Sequence, residues 1–427
     1  MALDFPATPT VGQKYPQPAI GGVPVYTWDG EKWAINVTMG KAPIYSDGSV
    51  PMVAPLTLIN PPVAATDAAS KGYADAVAGD NLIVNGFMDI SQEFGTTAQI
   101  VAAQGAQYIL DQWTAGNTTG IQCSGAYTTA FPSPDPAIPA TFQYYAINPI
   151  VVGAGDWIGN HQAIEGNRWS VLGWGKPGGK SVAIGFWMHF AVAGTFSLAV
   201  LNGNGTRSYC VPFTVTPAQA GTWVYRTAVI PPCTDGTWDK GNGVGARFYF
   251  IMAAGSNYTA PSANAWHSGN YIAAPGQTNM FPGVGNGSYL TGVTAVPGTV
   301  PVPQAQCASM RKSFDDDLRD CQRYFSMRKY ANGTAHILSK YPGAGTYDPY
   351  EFPVPMRVGP TMSHTSTAGW TYTNGSAQSV ALGSVAAYAW DEMRGTFNAG
   401  AVDADGVCRL YQNASGATQY IKANARF

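Results

Sequence analysis

The chain reads as mainly β, and three observations carry that reading. Of its 427 residues 50 are Gly and 31 Pro, and only 11% are charged while 45% are hydrophobic. Short apolar runs alternate with clusters of Gly, Pro, Asn and Thr, the pattern of strands separated by turns. Near the N-terminus an Asp-Gly pair lies between two β-forming runs, which signals a hairpin. The expected order is an N-terminal β-hairpin unit (1–35), an extended connector with a short helix (36–80), a large β-sandwich (81–310), a linking helix (311–330) and a small C-terminal β domain (331–427).

In the N-terminal unit, "GVPVYTWDGEKWAI" alternates, so Val23, Val25 and Thr27 share one face and Tyr26 and Trp28 the other. The chain turns at Asp29-Gly30 and returns through Trp33 and Ile35. The following stretch is Pro-rich and aperiodic, which suits an extended connector. In "ATDAASKGYADAVAGD", Thr66 can cap a short helix with Ala69, Tyr73 and Ala76 on one face. So short a helix needs neighbours, and three copies around an axis would supply them.

The sandwich rests on strands such as "SVAIGFWMHF" (181–190), "GTFSLAVLNG" (194–203), "SYCVPFTVT" (208–216), "TWVYRTAVI" (222–230) and "GARFYFIMAA" (245–254). Their spacing suits two packed sheets. Several are apolar on both faces, which predicts mid-sheet positions or a subunit contact. "SFDDDLRDCQRYF" (313–325) concentrates four aspartates and two arginines in a chain poor in charge. Ser313 as N-cap, Asp316 completing a capping box and Asp315 to Asp317 at the positive end of the dipole predict a helix start. Phe314, Leu318, Cys321 and Phe325 would form its inward stripe. Consecutive helical side chains point about 100° apart, so three neighbouring carboxylates converge poorly on one metal ion. The C-terminal region reads as strands near "HILSKY", "SAQSVALGSVAAYAW", "MRGTFNAG" and "CRLYQNA", with a docked terminal strand "QYIKANARF".

Composition excludes several classes. A net charge of −2 gives no long-range attraction for nucleic acid. No apolar run approaches the roughly 18–20 residues of a membrane span, and the N-terminus does not read as a secretory signal. Six cysteines without a C-x-x-C pair, and five histidines, argue against a zinc centre. Cys210 and Cys233 flank adjacent strands and could pair, but buried free thiols are the favoured reading. No metal and no cofactor is expected. Asn-x-Ser/Thr triplets such as Asn36-Val-Thr read as chance in so Asn- and Thr-rich a chain.

Several segments resemble bacteriophage fibre proteins. "FPATPTVGQKY…VYTWDGEKW" is similar to the N-terminal motif of tail-fibre and virion-attached proteins, and "TDAASKGYAD" to the segment joining fibre stalks to distal domains. "NLIVNGFMDISQEFG", "YILDQW", "AIEGNRWSVLGWGKPGGKSVAIGFWMHF", "GTWVYRTAVIPPCTDGTWDKGNG", "WHSGNYIAAPGQTNMF", "YLTGVTAVPGTVPVP" and "LRDCQRYF" follow in the order seen in one family of such fibres. The resemblance spans roughly 5–35 and 60–330. It implies a carbohydrate-binding-module-like jelly roll on a homotrimeric virion appendage, anchored to a tail, neck or baseplate protein and facing a host cell-surface glycan. It supplies no catalytic residue.

Sugar binding needs flat apolar rings beside amides and hydroxyls. The loop "SNYTAPSANAWHSGNY" offers Tyr258, Asn264, Trp266, His267 and Tyr271, and a second set is Trp157, His161, Trp169 and Trp174. The plainer reading is that these rings fill the core or seal a subunit contact, above all for Trp169 and Trp174. A glycan hydrolase would want two carboxylates flanking the scissile bond. Asp156 and Glu165 could meet, but Asp156, Glu165, Asp235 and Asp239 show no repeat, and no nucleophile-elbow, metalloprotease or phosphate-loop motif occurs. The expected function is therefore that of a structural, adhesive fibre or spike on the surface of a phage particle, without enzymatic activity. A neck, collar or capsid-attached decoration fibre is the alternative, and a tail-associated glycan hydrolase a third.

Overall fold

The computed structural model describes residues 5–17, 25–35, 80–102, 105–119, 122–330, 335–340, 346–347, 349–364, 370–373, 377–387, 392–398, 408–412 and 419–427. The chain divides into two units, Met1–Leu58 and Ile59–Phe427. The expected helix through Ala69, Tyr73 and Ala76 lies outside the described residues.

The first unit is a three-stranded antiparallel sheet of Lys14–Tyr15, Tyr26–Trp28 and Trp33–Ile35. Trp28 faces Trp33 across the hairpin. Asp29 Oδ1 accepts the amides of Glu31 and Lys32, both at 2.9 Å, and Gly30 takes the left-handed φ of +115° that the turn demands. Phe5 covers one side, 5.0 Å from Tyr26 and 5.2 Å from Trp33 between ring centres. These aromatic contacts give so small a sheet its core.

The second unit is built on a sandwich of two antiparallel sheets. One has the order Trp223–Ile230, Val182–Phe190, Gly287–Pro297, Thr141–Ala146, Cys123–Thr128, Gln99–Val101. The other runs Trp266–Ser268, Arg207–Val215, Gly194–Asn202, Val244–Ala254, Trp157–Glu165, Trp113–Asn117, Gly105–Leu110. The chain crosses repeatedly between sheets, as a jelly roll's does. Alternation decides the facing: Val182, Ile184, Phe186, Met188 and Phe190 enter the common core, while Ala183 and Trp187 point to the outer side.

The strands that are apolar on both faces have their explanation within the chain. Outside the six-stranded sheet, Trp187 is covered by Ile138, Cys307 and partly buried Ala308 and Met310. Outside the seven-stranded sheet, Ala199, Leu201, Cys210 and Ile251 are covered by Ala260, Ile272, Ala273 and Ala274 of the 255–277 loop. A subunit contact is not required to bury them.

"NLIVNGFMDI" (81–90), which opens the sandwich region, forms no strand itself. It is an irregular, almost wholly buried segment whose backbone groups are met by side-chain amides. Asn81 Oδ1 accepts from Ile83 N (3.1 Å) and Ala295 N (2.8 Å). Asn85 donates to the carbonyls of Ile90 (2.8 Å) and Asp111 (3.0 Å), and Gln162 both donates to and accepts from Val84. Buried peptide groups must find partners, and here three amides replace a neighbouring strand.

The linking helix runs Phe314–Gln322, and Ser313 Oγ accepts from Asp316 N at 3.2 Å, the expected cap. Two details of the expectation are corrected. The helix ends before Phe325, which begins a strand (Phe325–Tyr330), so Phe325 does not belong to the helix stripe. Phe314 is 56% exposed, so the inward stripe reduces to half-buried Leu318 and buried Cys321, while Asp317 is only 6% exposed and turned inward. Asp317 Oδ1 accepts Asn85 N at 3.1 Å, and burial pushes its pKa up to about 6. The seam also holds a buried carboxylate paired with a half-buried arginine. Glu165, 1% exposed, is clamped by Arg323 (2.6 and 2.8 Å) and by the Tyr324 hydroxyl (3.0 Å).

Phe325–Tyr330 pairs with the terminal strand Gln419–Asn424, which pairs on its other edge with Thr361–His364. The terminus is docked as expected. Arg426 meets Glu93 at 2.8 Å and lies 3.7 Å over the Phe325 ring; Arg357 lies 4.1 Å over Phe427, whose carbonyl accepts from Tyr108. Between residues 335 and 412 the described backbone forms a further seven-stranded sheet, with strands close to those expected at 336, 377, 393 and 408.

Candidate functional site

The five loop residues marked in the sequence do not converge. Trp266–Ser268 is an edge strand in which Trp266 stands opposite Tyr209 and His267 opposite Ser208, so neighbouring side chains leave on opposite faces. Trp266 goes toward the core. Its ring centre is 5.3 Å from Trp174 and 5.2 Å from Tyr209, and its Nε1 donates to Pro231 O at 3.1 Å. It closes a nest in which Trp174 contacts Trp169 (4.9 Å) and Trp238 (4.8 Å). Trp169 and Trp174 are 1% and 2% exposed, the core role the plainer reading gives them.

His267 and Tyr271 lie together on the outer side, 6.1 Å apart and edge to face, and His267 Nε2 meets Ser262 O at 3.0 Å. Tyr258 and Tyr271 pack on the covered outer cluster, and Asn264 is exposed at φ +56° with its backbone N–H donating to Cys210 O. The Cys210 thiol faces Tyr271 O and that of Cys233 faces Asp235 O, so both are buried and unpaired with each other. Burial pushes the Cys210 thiol up to about 12, which makes it inert.

Trp157 and His161 project on the outer face of the seven-stranded sheet beside Tyr249, which stacks on His161 at 4.9 Å. The Trp157 ring lies against Gly116, where a Cβ would come within 2.2 Å of it. Burial, with Arg247 nearby, pulls the His161 pKa to about 3, so the imidazole stays neutral.

A different set forms a cavity. On the six-stranded sheet Trp223, His189, Tyr289 and Gln143 stand in one row across four adjacent strands, by the registers His189↔Trp223, His189↔Tyr289 and Tyr289↔Gln143. Phe131, from the loop ahead of Thr141, stacks on Tyr289 with ring centres 3.6 Å apart and meets His189 edge-on at 4.9 Å. Gln143 Nε2 donates to the Tyr289 hydroxyl at 3.1 Å. Phe131, Gln143, His189 and Tyr289, with Tyr145, line a cavity of about 410 Å³ that Trp223 does not reach; the rest of its lining is Ala191, Gly285, Gly287 and Ser288. Gly287 permits close packing at the rim, since a Cβ there would sit 2.8 Å from Tyr145 Cβ. Burial lowers the His189 pKa, so this ring too is neutral. No local motif announced the row, because its members become neighbours only through strand register.

The carboxylates weighed for hydrolysis are dispersed. Asp156 precedes and Glu165 ends the strand Trp157–Glu165, so they stand roughly 30 Å apart at strand rise. Glu165 is held by Arg323, Asp235 by both Arg207 nitrogens (2.6 and 2.7 Å), and Asp239 accepts from Gly241 N. Asp316 turns to Ser313 and Asp317 to Asn85, so the three consecutive aspartates diverge. A larger cavity of about 710 Å³ includes Arg168, Lys312 and Asp320, whose charges pair with one another.

No protein-family model and no curated protein matches the sequence. Among solved structures, an arabinose-bound α-L-arabinofuranosidase aligns at 10% identity over 53% of this chain and 27% of its own, TM-score 0.29. The enzymatically active domain of bacteriophage CBA120 tailspike protein 4 aligns at 12% identity over 51% of this chain and 21% of its own, TM-score 0.25. A xylan-binding CBM22 domain from Paenibacillus barcinonensis aligns at 12% identity over 53% of this chain and 97% of its own, TM-score 0.26. The chain thus spans about a quarter of the first two. At such TM-scores the fold assignment rests on the strand order itself.

Proposed function

We propose that this protein is a structural, adhesive component of a bacteriophage particle: a homotrimeric fibre or spike, held to the virion by its N-terminal unit, that presents a glycan-binding surface to the host. The ordered fibre-like motifs support the viral setting. The observation that carries the binding role is the cross-strand row of rings and an amide on an outer sheet face, which combines stacking surface with hydrogen-bonding groups. The separation of Asp156 from Glu165 favours binding over hydrolysis.

Adsorption provides the test. Saturating purified protein is expected to block attachment of the parent virion to host cells and to release no reducing ends from host polysaccharide. Unchanged attachment favours a decoration fibre, and released reducing ends a hydrolase. Light scattering coupled to size exclusion is expected to give about three times the 45.0 kDa chain mass. A monomer at micromolar concentration overturns the trimer.

A further inference from the structure

We infer that the cavity formed by Phe131, Gln143, Tyr145, His189 and Tyr289 is a subsite for an uncharged sugar unit of a glycan, and that it, not the Trp266–Tyr271 loop, is the principal saccharide contact of this chain. The inference rests on the adhesive reading above and names its site and ligand class.

Three features point to it. The volume of about 410 Å³ lies within the ~300–1,000 Å³ of small-ligand sites and leaves room for a short saccharide. Its lining contains no Asp, Glu, Lys or Arg, so a uronate or sialate carboxylate would lose its hydration and meet no cation. Around the void stand two phenol hydroxyls, one primary amide, one neutral imidazole and the rings of Phe131 and Tyr289. These are the hydrogen-bond partners and apolar walls that a neutral pyranose, with hydroxyls at its edge and C–H groups on its face, can use together. Phe131 and Tyr289 each give one face to the other and Gln143 donates to the Tyr289 hydroxyl, but all three still border the void, whereas Trp266 gives its indole N–H to Pro231 and packs on Trp174 and Tyr209.

The test is a printed array of neutral, uronate-containing and sialylated oligosaccharides, probed with the intact full-length protein. The wild type is expected to bind neutral members. Phe131→Ala and Gln143→Ala are each expected to weaken that binding about tenfold or more, corresponding to about 1.4 kcal/mol. Tyr271→Ala is expected to leave it within about twofold. Should Phe131→Ala misfold by circular dichroism, Gln143→Ala and Tyr145→Phe decide the matter. Binding lost with Tyr271→Ala but kept in the cavity variants overturns the subsite while leaving the glycan reading intact. A preference of the wild type for acidic members, or no binding to any member, also overturns it; the adsorption competition then judges the adhesive reading separately.

Discussion

The tryptophan nest of Trp169, Trp174, Trp238 and Trp266 and the Phe131–His189–Trp223–Tyr289 row contain similar side chains in opposite circumstances. In the nest Trp174 packs edge to face on Trp169, Trp238 and Trp266, and its Nε1 donates to Lys180 O at 2.6 Å while that of Trp238 donates to Asp235 O. In the row the rings stand on an outer face, half-buried, and Phe131, His189 and Tyr289 border a void. Aromatic content therefore says little about binding. What separates the two is burial and the void: Trp169 Nε1 is buried in the nest without a partner among the described residues, whereas Trp223 Nε1 in the row donates to Pro132 O at 2.7 Å, yet it is the row that borders a cavity.

The largest effect that could break this contrast is truncation inside the nest. Trp174→Ala is expected to destabilise by about 3–5 kcal/mol, the cost of a large cavity in a packed core. Phe131→Ala should cost about 1–2 kcal/mol, because its ring is half-exposed. Denaturant unfolding of the two variants measures the difference, and equal losses would erase the distinction.

Acidity separates stability from binding. Asp111, which accepts from Gln92, and Asp317 both have pKa values pushed from 3.8 to about 6 by burial. Between about pH 4 and 6 the folded chain holds protons that the unfolded chain has released, so stability falls as pH rises through that window and levels off above it. Asp317→Asn should flatten part of this slope and raise stability at pH 7 by about 1–3 kcal/mol, since a two-unit shift is worth at most about 3 kcal/mol. Thermal melts at pH 4, 5, 6 and 7 read the slope. Saccharide binding should stay level from pH 7 to 8, because the cavity's one imidazole is already neutral.

The smallest expected effect lies at the helix cap. Ser313→Ala should cost about 1 kcal/mol through the lost bond to Asp316 N and leave both aromatic regions untouched. A loss of glycan binding in that variant would mean that the seam and the cavity are coupled.

Legibility from sequence divided along the same physical line. Strands such as Val182–Phe190 and Val244–Ala254 fell within a residue or so of the segments their patterns marked, because alternation and flanking turns are local. The Asp29 hairpin and the Ser313 cap were local too. Facing and partnership were not. Trp266 and His267 are adjacent in sequence yet leave on opposite faces, and which face is core depends on an edge pairing with Tyr209. Asp317 resembled its two neighbours, but Asn85, 232 residues away, draws it inside. The irregular course of "NLIVNGFMDI" has no local signature either, because no pattern reveals that Asn81, Asn85 and Gln162 stand in for a neighbouring strand. The cavity row needed three registers at once, information that resides only in the assembled sheet.

The docked terminal strand also determines a load path. Its ladders run from Asn424, opposite Phe325 and Thr361, to Gln419, opposite Tyr330, with His364 facing Ile421, so the segment between 364 and 419 leaves and rejoins at the same end. Tension on that segment opens the ladders pair by pair from the Gln419 end, as a zipper opens, and does not shear all their hydrogen bonds together. The fastenings at the far end, Arg426 on Glu93 and Phe325 and Arg357 on Phe427, are reached last. Loading between residues 364 and 419 would thus part this three-stranded sheet gradually before it reaches the sandwich.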